Sequence, residues 1–430
     1  MAATGARVLA MGNRCFWITT SPQSATFLCC ENTNTCEGHA RYLASLASRH
    51  PMQCRLCRRN RRIRQHPCCP RAQRSCLLHR PLKPFAFGSC LGSDAEVIPR
   101  TIVPDSFLGG SAPRLQLLRL DGIPFPGLPK LLLSATHLVT LHRSNIPHFG
   151  YILPEMIITA LSTLTSLETL GFGFRSHGSF PDRESPRPPP LTRFVLPVLT
   201  KLYLERLNGY LEDLMARIDI PKLSSSRVTL FGQTIFSVTP QFIQFISRTP
   251  NLEAFKEARL TFMNVAAGIT LSSPTGSGYG LLKVKIICRL SNWQVISMGQ
   301  VCTSCLPPLS LLEDLYILED PRLPQNWQGN VLRTHWLELL HSFSAVRSLY
   351  LCEKFAPRIA PVLQELVGGR TTEVLPALRN IFLEGFQPSG PVQEGIAEFV
   401  AARQLSGHSI TISLWERDGA SLGLGTTTYS

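Results

Sequence analysis

Two pairs of metal-type ligands stand near the start of the chain: Cys54-x2-Cys57 and Cys76-x2-His79, with eighteen residues between them. Thiolates and imidazole at that spacing can hold a tetrahedral Zn²⁺. His66, Cys68 and Cys69 offer competing ligands, and five cysteines fall between residues 54 and 76, so such pairs arise easily by chance. Few apolar residues are at hand to enclose an ion. The expectation is no metal and no cofactor, with Cys54, Cys57, Cys76 and His79 as the candidate ligands if one binds.

Other chemistry-bearing groups fare less well. The run RRNRRIR at Arg58–Arg64 could contact phosphate or serve as a nuclear-import signal. No aromatic residue interleaves with it to stack a base, so it reads as a solvated basic tract. His335, Glu338 and His341 share the expected helix HWLELLH, but a zincin needs histidines four apart and these are six apart. Gly276, Gly278 and Gly280 lack the Lys-Ser/Thr of a phosphate loop and read as a flexible turn. No nucleophile–base arrangement is legible, so no enzyme activity is expected.

Composition places these groups in one half of the chain. Between Gly38 and Ser93 there are twelve Arg and Lys and no Asp or Glu, which supplies +12 of the formal +14. Ten of the fourteen cysteines lie in the first ninety residues; the others are Cys288, Cys302, Cys305 and Cys352. The first twenty residues lack the sustained apolar run of a signal peptide, and no stretch approaches the length of a membrane span. An intracellular location, cytoplasm or nucleus, is expected, with thiols that need not pair.

The elements that must position any site follow from a recurring phrase: Leu, two residues, Leu, one residue, Leu. It stands as LQLLRL (Leu115–Leu120), LTKLYL (Leu199–Leu204), LEDLYI (Leu312–Ile317), VRSLYL (Val346–Leu351) and LRNIFL (Leu378–Leu383). Weaker copies are LVTLHR, LETLGF, LSSSRV and LEAFKE, whose starts at 138, 167, 223 and 252 join those at 115 and 199 in a series spaced 23 to 32 residues apart. That period is the mark of a leucine-rich solenoid. The spacing leaves room for one further copy between Leu252 and Leu312, which LLKVKIICRL at Leu281–Leu290 fills. Helices are expected at Leu153–Leu164, Tyr210–Ile218, Pro240–Ser247, Trp293–Cys305, Thr334–Phe343, Ile359–Val367 and Val392–Leu405.

In such a repeat the leucines point inward, and the residue before the last apolar one points out of the concave face. Those residues are Arg119, His142, Gly171, Tyr203, Arg227, Lys256, Tyr316, Tyr350 and Phe382. Aromatic and basic types fill eight of the nine places, and Tyr and Arg are enriched at binding hot spots. All but Gly171 are therefore the candidate protein-binding residues. In LVTLHR, Arg143 takes the place of the third apolar residue.

The phrases Asp105–Leu141, Ser247–Phe262 (SRTPNLEAFKEARLTF) and Ala356–Arg403 resemble the F-box/leucine-rich-repeat-like proteins of mushroom-forming fungi, over about three quarters of the chain. The resemblance implies a ubiquitin-ligase substrate receptor, whose F-box holds the adaptor of a cullin ligase while the repeats hold a target. An F-box opens with a Leu-Pro-x-Glu-like phrase in an apolar-patterned run, and nothing between Met1 and Asp105 matches it. LPEM at Leu153–Met156 has the letters but lies inside the repeats.

The expected fold is thus α/β: an irregular leucine-rich solenoid over 105–418, a disordered or mis-read basic extension over 1–104, and a flexible tail over 419–430. The expected function is non-enzymatic protein binding on the concave face, with the ligase adaptor as a second partner only where an F-box is present. Neither nucleic acid nor membrane is expected as a partner. The alternatives are a zinc- or nucleic-acid-binding protein acting through 38–93, and a family member that has lost its ligase role.

Overall fold

A computed structural model describes residues 102–416, apart from 148–149, 176–192, 207–208, 232–239, 253–254, 274–279, 289, 307–308, 321–331, 368–371 and 386–389. Before residue 102 it describes the backbone of four strands: β1 (Gly5–Met11), β2 (Arg14–Ser21), β3 (Ser24–Cys30) and β4 (Met52–Cys57). The rest of 1–101 and 417–430 lie outside the described residues, and with them Cys76, His79 and the Arg58–Arg64 tract. Four strands thus lie within the basic extension read over 1–104. Runs such as RCFWITTS are rich in aromatic and β-branched residues, which favour strands over lengths too short to display a period.

The repeat phrases become strands with buried leucines at alternate positions. They are β5 (Leu115–Asp121), β6 (Thr140–Ile146), β7 (Thr169–Phe174), β8 (Phe194–Val195), β9 (Lys201–Glu205), β10 (Ile218–Asp219) and β11 (Ser225–Phe231). There follow β12 (Glu257–Met263), β13 (Ala266–Ser272), β14 (Leu281–Ile287), β15 (Asp314–Glu319), β16 (Ser348–Leu351), β17 (Asn380–Glu384) and β18 (Thr411–Trp415). Pairs such as Leu118 and Leu120, Leu202 and Leu204, and Leu349 and Leu351 are buried on one face. The leucine that opens each phrase (Leu138, Leu167, Leu199, Leu312, Leu378) is buried just ahead of its strand. Each such leucine contributes roughly 1.5–3 kcal/mol.

Helices cover that face. They are α1 (Leu128–Ser134), α2 (Pro154–Leu161), α3 (Gly209–Ala216), α4 (Pro240–Ser247), α5 (Ser291–Ser304), α6 (Arg333–His341), α7 (Ala356–Gln364) and α8 (Pro391–Leu405). Seven of these coincide with the expected helices; α1, only seven residues long, is the addition. Helices α1 to α4 pack side by side in turn, as do α5 to α8, and their apolar residues join those of the strands in a single core from Val103 to Ile410.

The sheet has sixteen strands in the order β1-β2-β3-β4-β5-β6-β7-β9-β11-β14-β13-β12-β15-β16-β17-β18, while β8 and β10 pair separately. It is mostly parallel and open, so the fold is mixed α/β with no closed barrel. The departures from chain order sit in its middle. β12, β13 and β14 form an antiparallel meander, and β14 rather than β12 pairs with β11. LLKVKIICRL is therefore a strand of the sheet, as the spacing predicts, but not between the repeats that flank it in sequence. A two-residue connection after Met263 reverses the chain into β13, and a second reversal carries β14 back to β11. Gln294 of the following helix α5 holds this arrangement: its amide nitrogen donates to Met263 O and Cys288 O, both at 2.9 Å, tying the hairpin end to the strand end.

Candidate functional site

Strand alternation sends every second side chain to the face opposite the core. Parallel sheets usually bury both faces. Here the second face carries half-buried and exposed residues instead, and the register aligns them in one row. From β5 to β18 the row reads Arg119, His142, Gly171, Tyr203, Arg227, Lys283, Thr270, Arg259, Tyr316, Tyr350, Phe382, Ser413. The structure thus brings together seven of the eight candidate residues, Lys256 excepted.

Lys256 falls outside the row because the strand begins one residue after it. Leu252 closes a short 3-10 turn, the strand starts only at Glu257, and Ala258, Leu260 and Phe262 are the buried alternation. Arg259 takes the outward place, while Lys256 lies ahead of β12, 3.5 Å from Glu313. The period-two alternation of EARLTFM is the signal that identifies the correct register. Lys283 and Thr270 enter the row through the meander.

At one end of the row the aromatic rings stack. Tyr316 and Tyr350 lie 4.1 Å apart and 10° from parallel, and Tyr350 and Phe382 lie 4.4 Å apart at 8°. Trp415, from the last strand, meets Tyr350 edge-on at 5.5 Å and Tyr316 at 5.8 Å. Burial and the neighbouring phenol push Tyr316 up, so both tyrosines stay neutral hydrogen-bonding groups. Asp314, Ser348, Tyr350 and Tyr316 link through their side chains at the base of the stack.

The other end is organised by a glycine. His142 lies over Gly171, where a β-carbon would collide with its ring, and so reaches towards Tyr203 on the next strand, 6.2 Å between ring centres. Burial, then the charge of Arg119, pulls the imidazole down to about 4, so His142 is a neutral ring here. Beside Tyr203, the Arg227 guanidinium stands 5.7 Å from the ring centre; across the meander, Arg259 stands 5.0 Å from Tyr316. Arg259 is also ion-paired with Glu257.

No family model, no curated protein and no solved structure matches the chain.

The remaining candidates stay apart. His335 and Glu338 sit 3.7 Å apart along α6 beside the buried Trp336, with His341 exposed. No group of three or more metal-ligand side chains occurs among the described residues. Cys54 and Cys57 belong to β4, whose side chains, like Cys76 and His79, are not described. Cys302 and Cys305 are buried side by side, and burial raises the Cys302 thiol far above its ordinary value, so it is an inert apolar group. No helix among the described residues is long and apolar enough to cross a membrane.

Proposed function

We propose that the outward row is a protein-docking surface and that the chain is a non-enzymatic binding protein built as an irregular leucine-rich solenoid. The observation that carries this reading is the register: aromatic and basic side chains from successive strands fall in one line on the face away from the helices. Stacked rings offer large, rigid contact area with little side-chain freedom left to lose on binding. The parallel strands β5 to β11 and β15 to β18, each backed by core leucines, support the solenoid reading.

The sequence resemblance extends the proposal to a substrate receptor of the fungal F-box type. In that role the row holds the target, and recruitment of a cullin-ligase adaptor depends on an F-box. The route through residues 38–93 to zinc or nucleic acid, and the loss of a ligase role, stay as competing proposals that rest on sequence alone.

The test is proximity cross-linking of the full chain in its own cells, with wild type beside a Tyr350→Ala, Phe382→Ala double variant. Protein adducts lost in the variant, at equal abundance and thermal stability, support docking on the row. Adducts unchanged by the double variant remove it. An adaptor subunit among the unchanged adducts supports the ligase extension separately.

A further inference from the structure

The inverted meander builds a cationic trough in the centre of the row. Had β12 followed β11 in space, Arg259 would lie beside Arg227. Instead β14 and β13 come between them, and β14 brings Lys283 next to Arg227, with Lys285 two residues further along the same strand. Around Lys283 the register sets Ser225, Thr229 and Thr270, all hydroxyl-bearing and none acidic. The two arginines lean away from the centre, Arg227 onto Tyr203 and Arg259 onto Tyr316, which leaves Lys283 between them.

These charges are not balanced internally. Glu257 answers Arg259. Glu205 lies close enough to Arg227 to feel its charge, but among the described residues no carboxylate lies within ion-pair reach of Lys283 or Lys285, and Arg227 and Lys285 are exposed. Burial, then Arg227 and Arg259, pull the Lys283 ammonium below its ordinary value. A cation cluster of this kind favours an anion that completes it.

We propose that the trough receives an acidic, extended protein segment, its carboxylates over Arg227, Lys283 and Arg259 and an apolar or aromatic residue on the Tyr316–Tyr350–Phe382 stack. This rests on the reading of the row as a docking surface. The dimensions agree. Arg227 and Arg259 are three strand steps apart, about 14 Å at roughly 4.8 Å per strand. An extended chain advances roughly 3.4 Å per residue, so acidic residues at i, i+2 and i+4 span about that distance. The stack is centred on Tyr350, two strands and about 10 Å beyond Arg259, which sets its anchor residue about three positions past the last carboxylate. Carboxylates meet guanidinium and ammonium groups in charge-assisted bonds, while the hydroxyls of Ser225, Thr229 and Thr270 can donate to the remaining oxygens.

The experiment uses the full chain and a fluorescent peptide with glutamate at alternate positions and a tryptophan three residues past the last. Its partners are a glutamine-for-glutamate peptide and a short single-stranded RNA. Saturable binding of the acidic peptide, at least tenfold weaker for the glutamine peptide and for Lys283→Glu, and falling as salt rises, is the expected result. Lys283→Gln, with thermal unfolding as the check of folding, guards against a variant that merely misfolds. Equal or tighter binding of the RNA would overturn the commitment to a protein segment. Loss of cellular adducts in Tyr350→Ala, Phe382→Ala but not in Lys283→Glu would overturn the acidic partner while leaving the docking surface standing. Adducts indifferent to both would remove the docking surface itself.

Discussion

Arg143 occupies a slot filled by apolar residues on both sides, registering with Leu120 and Phe172 in the core row. It is 2% exposed, and one of its terminal nitrogens donates to Gly150 O at 2.6 Å while Nε has no partner. Burial draws its charge state down to about 10. The other fully buried arginine is built differently. Arg403 donates to the carbonyls of Val374 and Pro376, at 3.3 and 3.4 Å, and to that of Leu375. Leu375 sits at φ 50°, in the left-handed region where a branched side chain is strained, so Arg403 holds a turn that would otherwise relax. The two sites therefore predict opposite outcomes. Arg143→Leu replaces a costly buried charge with an apolar group that fits the row, and stability in urea should stay level or rise by about 1 kcal/mol. Arg403→Leu strands three carbonyls and should cost about 3 kcal/mol. Equal losses for both would show that Arg143 carries a structural bond of the same worth. Arg143 is legible in the sequence because it breaks a repeated phrase; Arg403 is not, because its acceptors lie about thirty residues away in a turn with no pattern of its own.

The elements show the same division between local pattern and distant contact. Seven helices and the phrase-bearing strands follow from periodicities contained within single segments. The meander does not. Nothing in the alternation of Val284, Ile286 and Cys288 says which strand they pair with, since a strand that buries one face fits anywhere along a sheet of like strands. One polar side chain supports it. Gln294 binds Met263 O and Cys288 O, and Gln294→Ala leaves both carbonyls without that donor. Faster amide exchange in β13 and β14 than in β5 and β6, with a loss of about 2 kcal/mol, is the expected outcome. Uniform change over the sheet would count against a local clamp. Glu212 of α3 does comparable work for α4, accepting from the N–H groups of Gln241 at 2.7 Å and Phe242 at 3.2 Å. Those are orphan donors of the first turn. Burial outweighs both bonds and holds the carboxyl up at about 7 against an ordinary 4.5. The folded chain then binds this proton more tightly than the unfolded chain, so the contribution is full below pH 4.5 and is lost as pH rises through 7. Stability should fall by about 3 kcal/mol across that window, and Glu212→Gln should flatten the slope. Denaturation midpoints at stepped pH would read it.

At the scale of the whole molecule, the core row runs to the last strand without a cover. Ile412 registers with the buried Ile381 and Leu414 with the buried Leu383, yet they are 39% and 68% exposed. Leu405, at the end of α8, is 90% exposed. The strands from β5 to β17 carry their inward leucines into the buried core, and α8 is the last helix among the described residues. An array of stacked units buries apolar surface only where a neighbour exists, so the terminal unit keeps an apolar face and an open strand edge together. That combination favours association between chains more than it stabilises the fold. Ile412→Thr with Leu414→Ser should therefore cost less than about 1 kcal/mol, because little area is recovered from water there. Leu383→Ala, one strand inward and 2% exposed, should cost about 2–4 kcal/mol. Light scattering of the concentrated protein should fall in the double variant while its denaturation midpoint holds. If Ile412→Thr, Leu414→Ser instead destabilises the chain as much as Leu383→Ala, then the apolar face of β18 is covered in solution and is not open for association.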